Sequence, residues 1–389
     1  MMARTQRKSN LRFSHLHLEN WRNFVGVSIS LQERVFLIGP NASGKSNFLD
    51  VFRFLNDLVT VGGGFQEAVS RRGGVSRIRS LSARRYPEIA IHATMEGPDD
   101  SPDWQYELRF VQDNQRRPKV TRERVVHGGE VLLDRPDKYD HQDRLRLTQT
   151  YLEQVNVNRK YRDVVDFFRS VRYLHIVPQL VREPDRSVGK TDDPFGGDFL
   201  EQIARTPDNT QKARLRRIRE ALEVAVPQLQ DLELRRDPNS GTPHLQGKYE
   251  NWRLHGAWQN EENFSDGTLR LMGLLWAVLD GSGPLLLEEP ELSLHPSVIR
   301  YIPAMFSRIQ RRNRRQVIVS THSQDLFRDP GIGLDEVFLL LPAESGTVIR
   351  PAGDFEDVKA LLKGGIPLPE AIMPKTQPEN VEQLALFGS

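Results

Sequence analysis

Val35-Phe36-Leu37-Ile38-Gly39-Pro40-Asn41-Ala42-Ser43-Gly44-Lys45-Ser46 decides how this chain folds. Its first four residues form an apolar run of the kind that is buried in a sheet, and the run stops at Gly39. After Ser46, the residues Phe48, Leu49, Val51, Phe52, Leu55 and Leu58 recur at helical spacing, so the glycine loop leaves a strand and opens a helix. In that setting each residue type has a physical task. Gly39 and Gly44 allow positive φ and a close approach to phosphate, Lys45 brings charge to the β and γ phosphates, and the Ser46 hydroxyl suits magnesium. Asn41, Ser43 and Asn47 complete the predicted binding set.

The rest of the chain has room for such a fold. Its 389 residues, 38% of them hydrophobic, suffice for one large α/β domain or two smaller ones. It has no cysteine, which excludes disulfide frameworks, thiolate metal sites and cysteine nucleophiles. Met1 to Asn10 is basic and polar, and no run approaches the roughly 20 apolar residues of a membrane span, so a cytoplasmic protein without a membrane contact is expected. Net charge is only +2, yet basic residues are grouped: Arg4, Arg7 and Lys8; Arg71 and Arg72; Arg214, Arg216, Arg217 and Arg219; Arg311, Arg312, Arg314 and Arg315. Such groups serve either as solvated helix faces or as contacts for nucleic-acid phosphate.

Alternation predicts strands at Leu11–Leu18, Val25–Leu31, Glu88–Met95, Trp104–Val111, Lys119–Val126 and Glu130–Leu133, a β-rich flank. The pattern turns helical from Leu145 to Arg172, returns to strand over Val171–Val177, and leaves Arg182–Asp198 as a loop. Phe199–Ala204 and Thr210–Val226 read as a helical arm, the latter with Leu215, Ile218 and Leu222 on one face. Phe264–Leu279, Pro284–Glu289, Pro296–Gln310, Gln316–Ser320, Val337–Leu341 and Thr347–Pro351 then alternate helix and strand, as in a mostly parallel sheet.

Two strand ends carry further chemistry. Leu285-Leu286-Leu287 runs into Glu288 and Glu289, and carboxylates at the end of a buried strand are costly unless a cation or a proton donor meets them. Their spacing suits Glu288 to a metal and Glu289 to polarising an attacking water; the competing reading makes Glu289 and Glu291 helix-dipole partners before Pro296. Val317-Ile318-Val319-Ser320-Thr321-His322-Ser323 is a second β-branched run, ending in hydroxyls and a histidine that suits a γ phosphate.

With these pieces in hand, the chain resembles the ABC-type ATPase heads of the RecF, SMC and OLD branch, and in particular the stand-alone AAA-ATPase-like proteins of bacterial defence loci. The resemblance rests on Glu19–Phe24, Gly39–Asn47, Phe264–Gly273, Leu286–Pro296 and Gln316–Leu326. It implies an α/β P-loop NTPase, an ABC-type head with a β-rich flank and an inserted helical arm. Residues 1–373 would form the head: 1–96 the Walker A lobe, 97–230 the insertion, and 231–373 the lobe of signature, Walker B and switch histidine. Residues 374–389 would be a flexible tail. It further implies that ATP and Mg2+ are the cofactors and that Ser265-Asp266-Gly267-Thr268 completes the partner's site. In that arrangement Ser265 and Gly267 touch ATP across a homodimer or higher homo-oligomer. Glu289 and His322 would be catalytic, with Ser46 and Glu288 on the metal.

Some positions depart from the wider pattern. Glu288 stands where ABC transporters carry aspartate, and His295 where the D-loop carries one. Gln179 is the candidate Q-loop glutamine, and Trp21, Arg22 or Phe24 the candidates for adenine contact, with packing the alternative for the aromatics. Neither the nuclease of OLD proteins nor the coiled coil of SMC proteins is legible. The closing Gln383-Leu384-Ala385-Leu386-Phe387 resembles the motif that docks repair proteins on a sliding clamp, with Gln383, Leu384, Leu386 and Phe387 as contacts, against a tail folded on its own core. The resulting expectation is an ATPase switch in DNA-related processes, in anti-phage defence with a separately encoded effector. The alternative is a RecF-like, ATP-dependent clamp on DNA.

Overall fold

A computed structural model describes residues 11–83, 87–98, 101, 103–183, 193–250, 257–377 and 383. The chain divides into two compact units: residues 1–172, 282–286 and 307–389 in the first, and 173–281 and 287–306 in the second.

The first unit begins with strands β1 (Arg12–Trp21), β2 (Phe24–Ser30) and β3 (Arg34–Ile38). β1 and β2 join β4 (Ile89–Glu96), β5 (Trp104–Gln112), β6 (Pro118–His127) and β7 (Glu130–Arg135) in a sheet ordered β2-β1-β4-β5-β6-β7. Every pairing in it is antiparallel, and the period-2 burial of β4 and β5 shows one face turned to the core. β3 instead enters a second sheet, ordered β15-β14-β3-β13-β12-β8. Here β3 and β13 (Val317–Thr321) are buried along their whole length and pair in parallel, from Val317 opposite Arg34 to Thr321 opposite Ile38. β14 (Val337–Ala343) pairs in parallel with the other edge of β3 and turns back into β15 (Gly346–Pro351). β12 (Leu285–Glu288) and β8 (Arg172–Leu174) enter through their first residues: the Leu285 N–H donates to the Gln316 carbonyl and the Arg172 N–H to that of Pro284.

The second unit has its own antiparallel sheet, β11-β10-β9, made of β9 (Leu229–Arg236), β10 (Pro243–Tyr249) and β11 (Ala257–Asn260). The sequence reading assigned nothing between Val226 and Phe264, so these strands are an addition. Helix Asp208–Ala225 lays Leu215, Ile218 and Leu222 inward. It meets helix Asp266–Leu279, where Arg214 lies over the Trp276 ring and pairs with Asp280 at 2.7 Å.

Two predicted helices are interrupted. Over residues 145–172 the chain makes 3-10 turns at Arg144–Thr148 and Asn158–Tyr161 before a helix at Arg162–Ser170. The reason is Arg135, fully buried, whose guanidinium takes the Arg146 and Gln149 carbonyls that a continuous helix would use internally. The predicted helix from Pro296 is split into Pro296–Ile299 and Ile302–Asn313, because Pro303 has no N–H to continue the ladder. The strand expected over Val171–Val177 is only β8, and the loop expected over Arg182–Asp198 lies largely outside the described residues.

Two of the grouped arginines, Arg72 and Arg315, are buried. Arg72 is buried between Asp50 and Asp57, at 2.8 and 2.7 Å, which together hold its guanidinium charged against the cost of burial. Arg315 is buried and donates to the Gly283 carbonyl. Arg135 bridges Glu123 (2.9 Å) and Asp140 (2.8 Å), all three side chains wholly buried, and Glu123 also accepts the Tyr151 and Leu152 N–H groups. Arg135→Ala strands two buried carboxylates and should cost about 3–5 kcal/mol, whereas the exposed Arg117→Ala should stay within about 0.5 kcal/mol. Denaturant unfolding of the two variants beside wild type checks this.

Candidate functional site

The loop predicted to receive phosphate leaves the C-terminal end of β3, and His322 leaves the C-terminal end of the adjacent β13, where Thr321 is registered with Ile38. This is the strand edge at which open α/β sheets bind ligands. The loop is held shut from within: Lys45 Nζ donates to the Gly39 carbonyl at 2.9 Å and to that of Pro40 at 3.1 Å, and the Ser43 N–H returns to Pro40. A Cβ on Gly39 would lie 2.6 Å from the Leu340 carbonyl and from Ser43 Oγ, and Gly44 takes φ +97°. Both glycines are therefore required by geometry.

Helix α1 (Lys45–Val59) starts from Gly44 without a side-chain cap, so its first N–H groups and its positive dipole end face the loop. Ser43 Oγ is fully buried and, among the described residues, has no hydrogen-bond partner. An orphan hydroxyl, uncapped amides and a buried lysine together fit an anionic phosphate. Asn41 and Ser46 are exposed at the loop, and Asn47 is half-buried.

The residue that organises the loop is one to which the sequence assigned no role. Asn23 Nδ2 donates to the Ser43 carbonyl (2.9 Å) and to Thr347 Oγ1 (2.7 Å), and its Oδ1 accepts from Asn47 (2.8 Å). Its carbonyl accepts the Thr347 N–H at 2.8 Å. One amide thus ties the loop, helix α1 and the β14–β15 hairpin together. The two flanking aromatics are core rather than adenine contacts: Trp21 is buried with its indole N–H on the Asn47 carbonyl, and Phe24 packs edge-on against Phe48. Arg22 differs, lining a cavity of about 730 Å3 with Arg77, Arg79, Asn47, Ser80 and Glu344.

The second unit holds Gln179, Ser265, Gly267, Glu288, Glu289 and His295. Ser265 is the N-cap of helix Asp266–Leu279, its hydroxyl accepting the Thr268 N–H at 3.2 Å. Arg182 braces that turn, donating to the Phe264 carbonyl and Asp266 Oδ1, both at 2.6 Å. A Cβ on Gly267 would sit 2.5 Å from the Ser293 carbonyl, so the glycine is where the Ser265–Thr268 turn and the Leu292–His295 turn touch. Glu288 ends β12, half-buried, and accepts the Tyr173 hydroxyl on Oε2. Glu289 follows in the left-handed region, at φ +45°, an unusual backbone for a residue with a Cβ. Burial pulls the Arg270 guanidinium below its ordinary range, and Asp266, Glu289 and Glu291 oppose that shift. His295 caps helix Pro296–Ile299, its Nδ1 accepting the Ser297 N–H at 3.1 Å, a task an aspartate performs equally well. Gln179 is exposed in helix Pro178–Arg182. Gln383 is exposed, while Leu384, Leu386 and Phe387 lie outside the described residues.

A family model described as "AAA domain, putative AbiEii toxin, Type IV TA system" matches residues 34–329, and the chain belongs to that family. Among solved structures it is similar to an SMC head bound to the C-winged helix domain of ScpA, at 12% identity and a TM-score of 0.53, covering 87% of this chain and 97% of that one. An SMC head with an extended coiled coil bound to the C-terminal domain of ScpA, from Pyrococcus furiosus, matches at 12% identity and a TM-score of 0.51 over 91% and 99%. The SMC head with a coiled coil and joint from Pyrococcus yayanosii matches at 10% identity and 0.51, over 91% and 100%. At such identities the likeness is one of fold. No curated protein matches the chain. The α/β P-loop head expected from the sequence is the fold found, that of a nucleotide-binding ATPase. Among the described residues no helix is long and apolar enough to cross a membrane.

Asn23→Ala removes the brace without touching the loop. Nucleotide affinity should fall about tenfold, the loss of one or two net hydrogen bonds, with Tm lowered modestly; titration with a fluorescent nucleotide measures it.

Proposed function

We propose that the chain binds and hydrolyses ATP, dimerises on ATP, and works as a switch that engages or releases a separately encoded effector in anti-phage defence. The observation that carries the reading is the phosphate cradle: the orphan Ser43 hydroxyl, the uncapped start of α1 and the buried Lys45, with His322 on the neighbouring strand. Lys45, Ser43 and the amides of the loop bind the phosphates, and the arginine-lined cavity beside Asn47 takes the nucleoside half. Ser46 in the first unit and Glu288 in the second are the side chains that would each serve Mg2+, which would supply charge neutralisation to the phosphates. Glu289 orients and deprotonates the attacking water, and His322 donates to the γ phosphate.

Two features support the dimer and its regulation. Ser265, exposed at a helix N-terminus whose cap geometry is already formed, presents a face that a second copy's nucleotide can meet. The similar SMC heads are bound to ScpA domains, and the family description names a toxin–antitoxin system; both favour a separately encoded partner. The reading as a DNA clamp is favoured by Arg216 and Arg217, exposed on helix Asp208–Ala225 where Arg214 is paired.

Solution mass with and without ATP and Mg2+ tests the proposal. Wild type should gain mass on ATP, Glu289→Gln should bind ATP, hydrolyse it at least ~100-fold more slowly and stay assembled, and Lys45→Ala should not bind. Ser265→Arg should bind ATP but remain monomeric. Hydrolysis at the wild-type rate by Glu289→Gln would overturn the assignment of the base, and mass indifferent to ATP in every variant would overturn the switch.

A further inference from the structure

We propose that Tyr173 is a positioning residue for Glu288, fixing the carboxylate that the reading above assigns to Mg2+. The proposal rests on that reading and adds a residue to it. Glutamate at the end of β12 creates a difficulty that aspartate would not. It has one more methylene and one more rotatable bond, so its charge sweeps a larger volume, and freezing it loses more side-chain entropy. A ligand to a cation that tolerates little error in geometry must be fixed by something else.

The neighbouring strand provides the fixing. Tyr173 lies in the middle of β8 (Arg172–Leu174), and its hydroxyl donates to Glu288 Oε2. Two residues on, His175 Nδ1 donates to the Glu288 main-chain carbonyl at 3.2 Å. One short segment therefore grips the backbone and the side chain of the same residue. The donor suits the task, because a tyrosine has only two side-chain torsions and a stiff ring and so loses little entropy in holding its hydroxyl in place. The acceptor is a carboxylate, which makes the bond charge-assisted. The bond holds Oε2 of the carboxylate. Tyr173 would thus restore, from outside the side chain, the rigidity that the longer residue gives up.

The test is Mn2+ binding, read by electron paramagnetic resonance in the presence of a non-hydrolysable ATP analogue, so that turnover plays no part. Wild type, Tyr173→Phe, Glu288→Asp, the double variant and Glu288→Ala are compared in the full chain. Phenylalanine keeps the ring and its packing, so a difference reads the hydroxyl. Tyr173→Phe should weaken Mn2+ about tenfold, with metal-free nucleotide affinity and Tm near wild type. In the Glu288→Asp background, where the shorter side chain no longer meets the hydroxyl, Tyr173→Phe should have no further effect. Wild-type Mn2+ affinity in Tyr173→Phe, or losses from the two substitutions that simply add, would overturn the positioning role. If Glu288→Ala binds Mn2+ as tightly as wild type, the metal assignment fails and the proposal with it. If Glu288→Ala loses Mn2+ while Tyr173→Phe does not, the role of Tyr173 alone fails.

Discussion

Burial of β3 between two parallel neighbours is the constraint on which the first unit depends. A strand apolar on both faces cannot lie at a solvated surface, and parallel partners must return through crossovers rather than hairpins. The ends of β3 and β13 therefore point the same way, and the chain leaves both at one edge. The glycine loop and His322 become neighbours there although they are remote in sequence. The same geometry starts α1 immediately after the loop, so the dipole end of the helix is delivered to the spot that the lysine already serves. What a nucleotide meets is thus largely backbone, arranged by a buried sheet rather than by the loop itself.

The loop was legible because its chemistry is local. Glycine, lysine and serine at fixed offsets carry their own reasons, and a strand before and a helix after are decided by residues within a few positions. Asn23 was not legible for the opposite reason. Its task is to join Ser43 and Asn47 to Thr347, which lies at the far end of the chain, and nothing in Asn23 itself announces a partner that distant. The aromatics beside it were open to two readings, and packing decided them. Trp21 and Phe24 are wholly buried, while Arg22 between them reaches the cavity.

Arg135 and the β9–β11 sheet were hidden for related reasons. Periodicity saw a helix from Leu145 because it counts apolar spacing, but it cannot see a buried guanidinium from another element taking the carbonyls such a helix needs. Where a buried cation competes for backbone acceptors, local propensity yields to the larger electrostatic demand. β9 alternates weakly, with exposed charges at Asp231, Arg235 and Arg236, and its register is set by pairing with β10 rather than by a strong apolar pattern.

The second unit places its strain where chemistry is proposed. Glu289 and Ser293 both sit in the left-handed region, which costs on the order of 1 kcal/mol each for residues with a Cβ. The two positions bracket a turn in which the Leu292 N–H donates to the Glu289 carbonyl and the Leu294 N–H to that of Glu291. The Ser293 carbonyl then rests where only a glycine leaves room, against Gly267. The Ser265–Thr268 turn and the turn that follows the proposed base therefore meet at one tight contact. A Cβ at Gly267 would push on the Ser293 carbonyl, and Ser293 lies in the same short run of turns as Glu289.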